Sequence, residues 1–359
     1  MEHLGKMESL VFRHAIQIIA LQAAEKEQKD KESIYQILSK ASVNVDIDLL
    51  RHKLLYECDV TVNFHPDRFS NNGKLIIENL LVDGEYHNQY KTGTSNGGRT
   101  AYINGDRDLW EKRLFNGVYH NGELEMICRP KYGALNIHNY IDGASARFGS
   151  CFFTLKPHVV NRCTFAFGDS STEPDTIGTS KQFYGIINAL LSCIDGKCTL
   201  LNKEVFTIKQ AVDYILSMQK GCITTFGRNL DDCIETHIHG RLSLLEDVDS
   251  FYIDEHFIGT NIEALAKMLA YRYDVKLCYI PKRQLPISKI DDEWKGTLVR
   301  PLAERINNKF GGKGLLNTIL IGVASRDSVL YPEDWLDIGT EYELFQNFKY
   351  LWHYIAYFG

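Results

Sequence analysis

Proline is scarce, eight in 359 residues, so no Pro-rich linker marks a domain boundary in this chain. No apolar run reaches the roughly 18 residues that a membrane-spanning helix needs, so no contact with the membrane interior is expected. There is no basic excess either. Forty Lys and Arg stand against 46 Asp and Glu, a net charge of −6. A protein whose main partner is nucleic acid usually carries the opposite balance, so none is expected here. The opening "MEHLGKMESL" has no apolar signal-peptide core, and a cytosolic location follows as the expectation. The nine cysteines are an odd number with no disulfide or metal spacing. Cys193 and Cys198 form a lone C-x4-C, which reads as free thiols in a reducing compartment. The glycine-rich phosphate motifs G-x-G-x-x-G and G-x-x-x-x-G-K-[ST] are absent, and "GGKG" at Gly311 to Gly314 lacks both the spacing and the hydroxyl. There is no G-x-S-x-G nucleophile elbow, no H-E-x-x-H and no paired C-x-x-C.

What is present is an ordinary globular composition, 44% apolar and 24% charged, with length enough for a large core. The first 57 residues read as helical. Val11, Ala15, Ile18, Ile19 and Gln22 recur at helical spacing. The charged run "EKEQKDKE" (Glu25 to Glu32) reads as a solvated helix end and turn, "SIYQIL" as a second helix, and Asp46 as the cap of a third. From residue 58 the texture changes. "DVTVNF", "YGALNI", "RFGSCFFTL", "CTFAFGD", "CIETHIHG" and "FYIDEHF" are β-branched or aromatic strand candidates. "DRDLWEKRLF" is a short helix with Asp106 as a possible cap, residues 181–220 look helical, and "NIEALAKMLAYR" is a helix beginning near Asn261. The closing segment puts Leu344, Phe345, Phe348, Leu351, Trp352 and Ile355 on one face of a packed helix. Helices, then a strand-rich centre, then a mixture predict an α+β fold rather than a doubly wound sheet.

Five segments bear on chemistry. "FHPDRF" places His65, Asp67 and Arg68 at a strand end, either as reactive groups on a rigid support or as a turn with an Asp–Arg pair. "TGTSNGG" crowds Thr94, Ser95 and Asn96 among glycines, either a loop that approaches a ligand closely or a surface turn. In "RPKYGALNIHNYIDGASARFGSC", Gly133 adjoins Tyr132, and Gly149 lies between Phe148 and Ser150. Such pairs suit a flat ring in a narrow cleft, and Arg129 and Arg147 could meet phosphates; the plainer reading is an aromatic core with rim arginines. Asp169 follows a strand directly in "FGDSSTEPD", where its plain role is to start a turn. Glu235, His237 and His239 alternate in "CIETHIHG", which puts all three on one face of a strand. A metal site, a catalytic carboxylate with histidine neighbours and a polar edge all remain open at this point.

Taken in order, "NFHPDR", "TGTSNGG", "WEKRLFNGVY", "RPKYGALN", "GASARFGSC", "FGDS" and "IETHIHG" resemble the CteC-type ADP-ribosyltransferases, over about residues 57–260. The closing "LWHYIAYFG" is also similar to that family. Ala146 stands where the family pattern has proline. That family includes a secreted bacterial effector that modifies ubiquitin on a threonine. The resemblance implies a split, mostly antiparallel β-core (residues 58–260) that holds NAD as co-substrate, with no metal. Around it would lie N-terminal helices (1–57), a helical insertion near 175–230 and a C-terminal extension (261–359). It implies Glu235 as the catalytic glutamate and Asp67 as its aspartate partner, with Asp169 as the alternative. Arg68 and Arg147 would meet the pyrophosphate, Tyr132 and Phe148 would stack on nicotinamide, and Thr94, Ser95 and Asn96 would touch ribose or carboxamide. His65, Gly149, Ser150 and Asp169 would complete the NAD site. The implied reaction is transfer of ADP-ribose to a threonine of a target protein, ubiquitin, in the cytosol of the cell itself or of a host. The insertion, region 262–330 or the N-terminal helices would recognise that target. The rival readings are a zinc hydrolase built on His237 and His239, and a non-catalytic nucleotide- or protein-binding module.

Overall fold

The computed structural model describes residues 2–93, 99–120, 128–197, 199–204, 207–221, 225–291 and 293–359. The described strands are β1 (Val60–Phe64), β2 (Lys131–Leu135), β3 (Cys151–Leu155), β4 (Cys163–Phe167), β5 (Ile177–Thr179), β6 (Thr199–Leu200), β7 (Lys203–Glu204), β8 (Ile234–Ile238), β9 (Val248–Asp254), β10 (Lys276–Ile280), β11 (Gln284–Pro286) and β12 (Leu315–Asn317). Eight of them form one sheet in the order β10-β9-β3-β1-β2-β8-β4-β5. Every neighbouring pair is antiparallel except β9 with β10. The fold is therefore mixed α+β around a large, mostly antiparallel sheet. β1, β3 and β8 are buried along their whole length, which requires cover on both faces.

One junction in this sheet is thin. β1 pairs with β3 from Thr61 to Phe64, but with β2 only at Val60–Leu135 and Thr61–Ala134. Beyond Thr61 the two strands part. A side chain at Gly133 would begin 2.5 Å from the Thr61 carbonyl oxygen, so only glycine lets the strands close up just before they separate.

The N-terminal segment differs from expectation. Glu2–Lys40 is one continuous helix, and the charged run forms no turn. Glu, Lys and Gln are strong helix formers, and the run is tied along the helix by Glu27–Lys31 at 2.9 Å and Gln28–Glu32 at 2.8 Å. Asp46 caps the next helix, Ile47–Tyr56, by accepting the Asp48 N–H at 2.9 Å, as its sequence position predicts. Asp106 is not a cap: Gly105 takes that position, and Asp106 opens the first turn of helix Asp106–Leu114.

The helices Tyr184–Lys197 and Ile208–Leu216 bury Ile187, Leu190, Leu191, Ala211, Val212 and Ile215 in the same core as the sheet. Each such side chain removed from water contributes about 1.5–3 kcal/mol, so this segment is built into the fold. Helix Asn261–Tyr273 and β10 also pack on that core. A second core runs from Leu285 to Ala356 and takes in Trp335, Leu351, Trp352 and Ile355 on the C-terminal helix Glu341–Phe358. It is tied to the sheet by Trp352 Nε1, which donates to the Ala146 carbonyl at 2.7 Å, and by the buried Arg283–Asp142 pair at 2.8 Å. Among the described residues seven cysteines are free, and no helix is long and apolar enough to cross a membrane.

Candidate functional site

A cleft of about 180 Å³ opens where β1 and β2 part. Asn63 comes from β1, Lys131, Tyr132 and Gly133 from β2, and Glu235 from β8. Helix Asp106–Leu114 contributes Arg107, Trp110 and Glu111, which lie three and four positions apart and so share one face. Ser145, Arg147 and Phe148 enter from the turn before β3, and Asp169, Ser171 and Cys233 from the segments beside β4 and β8. The flat rings of Tyr86, Tyr90, Trp110, Tyr132 and Phe148 line it.

Glu235 is only 8% exposed. One of its oxygens, Oε1, accepts the Ser170 N–H at 3.2 Å, the Ser170 hydroxyl, and a bond from His237 Nε2 at 2.8 Å. Behind it a chain of bonds runs through the strand face. Thr164 Oγ1 lies 2.9 Å from His237 Nδ1 and 2.9 Å from His239 Nε2. His239 Nδ1 lies 2.6 Å from the Tyr119 hydroxyl. Burial, then the neighbouring His237, hold the His239 pKa well below the usual imidazole range, so that ring is neutral. Every ring nitrogen of both histidines has a hydrogen-bond partner within the protein. Among the described residues no group of three or more His, Cys, Asp or Glu is arranged to hold one.

Four further sequence-predicted residues fall in the cleft. Tyr132 donates to Glu111 Oε1 at 2.8 Å, and burial, followed by the nearby Glu111, pushes its phenol well above the ordinary range. Arg147 pairs with Asp169 at 2.8 Å and with Asp231, and its guanidinium lies 4.5 Å from the centre of the Phe148 ring. Asp169 also accepts the Ser171 N–H at 2.8 Å. Burial raises its pKa, but the Ser171 hydrogen bonds and the Arg147 charge outweigh that and leave the carboxyl below its usual value.

The other predicted residues are elsewhere. Asp67 is 1% exposed, accepts from Arg68 at 2.8 Å and from Arg326 at 3.3 Å, and is pressed against Gly322. Both Asp67 and Arg68 are consumed in this ion cluster under helix Thr318–Leu330, and neither lines the cleft. His65 lines a side pocket of about 50 Å³ that shares Tyr86, His87 and Gln89 with the cleft. There it meets the Ser150 hydroxyl at 3.3 Å and the edge of Trp352. Gly149 does not serve a flat ring: its α-carbon passes so close to Phe64 that a side chain would begin 2.1 Å from the Phe64 carbonyl carbon. Gly149 and Ser150 are absent from the cleft lining. Arg129 is also structural, 2% exposed and bound to Glu111 at 2.9 Å and to the Tyr90 hydroxyl at 2.8 Å. Thr94, Ser95 and Asn96 lie outside the described residues.

The sequence reading missed Arg107, Trp110, Glu111, Tyr119 and Thr164. The first three carried a legible signal, the shared helix face in "DRDLWEKRL"; Tyr119 and Thr164 carried none.

Residues 59–358 match a family described as a protein of unknown function, DUF3626. The chain belongs to the DUF3626 family. No curated protein matches it. In this DUF3626 member the family span holds every cleft residue from Asn63 to Glu235, while the helix Glu2–Lys40 falls outside the span.

Chemically, the cleft combines an anchored carboxylate, flat apolar walls and cations. Among the described residues, five of the twelve buried side-chain polar atoms left without a hydrogen-bond partner are in its lining: Gln89 Oε1, Thr100 Oγ1, Arg107 Nε, Arg107 Nη1 and Trp110 Nε1. Native interiors seldom leave such atoms unpaired, so a cluster of them at one cleft points to a polar ligand.

Proposed function

We propose that this DUF3626 protein is a mono-ADP-ribosyltransferase that cleaves NAD, releases nicotinamide and transfers ADP-ribose to a threonine hydroxyl of a target protein, ubiquitin. The observation that carries this reading is the Glu235 carboxylate, held by Ser170 and His237 at the floor of an aromatic and arginine-bearing cleft. The parting of β1 from β2 supports a split transferase core. The unpaired donors on Thr100, Arg107 and Trp110 fit a dinucleotide rich in oxygen acceptors.

In this reading NAD is the substrate. Its bond from ribose C1 to nicotinamide breaks with the electron pair leaving on nicotinamide, and positive charge builds on the ribose as in glycoside hydrolysis. Glu235 faces that charge, and Tyr132 and Phe148 wall the cleft around it. The fixed carboxylate needs no reorganisation as the charge develops, which is where electrostatic catalysis gains most. The threonine oxygen then bonds to C1 and gives its proton to a carboxylate. Asp67 is enclosed by Arg68 and Arg326, so this role falls to Asp169, which is partly exposed at the cleft and ionised beside Arg147.

The test is incubation with NAD and ubiquitin, followed by mass spectrometry for an ADP-ribose adduct and assay of free nicotinamide. Wild type should give both products, and Glu235→Gln should lose ~10²–10³ in rate. Absence of both products from wild type, with a host lysate as an alternative target source, would leave a binding module as the better reading.

A further inference from the structure

Two arginines line the cleft and a third, Arg129, is buried behind its wall, each with very different surroundings. Arg147 is committed to Asp169 and Asp231. Arg129 is locked by Asp108, Glu111 and Tyr90. Arg107 has no such partner. It is 8% exposed, its guanidinium lies 4.4 Å from the centre of the Tyr132 ring and 5.1 Å from that of Trp110, and its Nε and Nη1 hydrogens meet no acceptor. Stacking against two rings fixes the plane of a guanidinium and leaves its edge as the donor face. Trp110, one helical turn further on, adds a third unpaired donor in Nε1. A buried cation with unmet donors is costly unless something negative or strongly accepting arrives to pair with it.

We propose that Arg107 and Trp110 form an oxyanion subsite of the cleft that takes phosphate oxygens of its ligand. The unmet Nε–H and Nη1–H point to different sides of the guanidinium and give two separate charge-assisted bonds to phosphate oxygens, and the indole N–H offers a third donor. The other two arginines then keep the walls in place, and Arg107 reads the ligand. Naming the ligand as a pyrophosphate-bearing nucleotide rests on the transferase reading above; the subsite itself requires only that the cleft bind a phosphate compound.

Calorimetry on the full chain separates the two. ADP-ribose, inorganic pyrophosphate, adenosine and nicotinamide are titrated into wild type, Arg107→Lys, Arg107→Gln and Trp110→Phe, with a thermal melt of each variant as a folding control. Wild type should bind ADP-ribose and pyrophosphate, more weakly as salt rises. Arg107→Gln should lose about tenfold or more for both while leaving adenosine and nicotinamide unchanged, and Arg107→Lys should recover only part of the loss. If Arg107→Gln does not fold, Trp110→Phe carries the test, with an expected loss of about three- to tenfold for the phosphate ligands alone. No binding of pyrophosphate or ADP-ribose by wild type at millimolar concentration, or equal losses for all four ligands, overturns the subsite. Phosphate-selective binding through Arg107 without NAD cleavage would keep the subsite and sink the transferase reading.

Discussion

The hydroxyl of Tyr119 lies 2.6 Å from Nδ1 of His239, and that single contact closes a line of hydrogen bonds ending on Glu235. The line has a direction. In the direction that gives the Glu235 oxygen a donor, His237 donates from Nε2 and accepts at Nδ1. Thr164 then donates to His237 and accepts from Nε2–H of His239, and Tyr119 donates to His239 Nδ1. In this arrangement both rings carry a hydrogen on Nε2 and accept at Nδ1. Histidine ¹⁵N spectra are expected to report that state, and an Nδ1–H form of either ring would contradict it.

Thr164→Val removes the hydroxyl at nearly constant shape and leaves two buried ring nitrogens unmet. It should cost about 1–3 kcal/mol in urea denaturation, whereas Thr164→Ser should stay within roughly 0.5 kcal/mol of wild type. Equal stability of the two variants would mean that the hydroxyl does not join the rings in solution.

Acid should weaken the fold through buried histidines. His138 gives Nε2–H to the Leu200 carbonyl at 2.8 Å, and burial first of all pulls its pKa from 6.5 to about 4. In the unfolded chain it titrates near 6.5, so between about 6.5 and 4 the unfolded state binds the extra proton. Stability from this group is therefore complete above 6.5 and is lost as pH falls through that window, by about 2 kcal/mol at pH 5. His138→Gln should flatten the fall of stability with pH over this range; an unchanged slope would place the proton uptake elsewhere.

Gly149→Ala forces a methyl to within 2.1 Å of the Phe64 backbone between β1 and β3. Backbone cannot yield as a flexible side chain does, so a loss of about 1–3 kcal/mol or more is expected, read as a lower melting temperature. A neutral outcome would mean that the strands sit further apart than described.

Asp67→Asn leaves the partly buried Arg68 and Arg326 against a neutral amide. Breaking such a cluster typically costs about 3–5 kcal/mol, so the melting temperature should drop. Activity per folded molecule then separates two roles for Asp67. A loss confined to stability fits the ion cluster, and a fully folded but inactive variant would restore it as the partner of Glu235.

Much of this fold was legible because it depends on local pattern. β1 and β8 alternate, Asp46 caps its helix, and the face from Leu344 to Ile355 repeats at helical spacing, and all four elements formed where the pattern placed them. The charged run at Glu25 misled because charge reads as solvent exposure, whereas helix propensity and i,i+4 pairing carry the helix through it. At the site, Glu235, Tyr132, Arg147, Phe148 and Asp169 meet at the cleft, while Asp67 and Arg68 turn toward a helix some 250 residues downstream, Arg326 being 259 positions from Asp67. No local rule encodes that distant partner. Arg107 was overlooked for the opposite reason: an arginine in a polar helix looks like solvated surface, although its face is shared with Trp110 and Glu111 and the rings of Trp110 and Tyr132 lie close to it.

The long N-terminal helix has a reach that its place outside the family span conceals. Ala15 and Ile19 pack on Phe115, Val118 and Tyr119, and Phe12 lies 3.1 Å from where a side chain on Gly240 would begin. The far end of the line that orients Glu235 is therefore clamped by residues from before position 59. Shortening the chain to the family span alone would strip the Ala15 and Ile19 packing from Tyr119, at the end of the hydrogen-bond line away from Glu235.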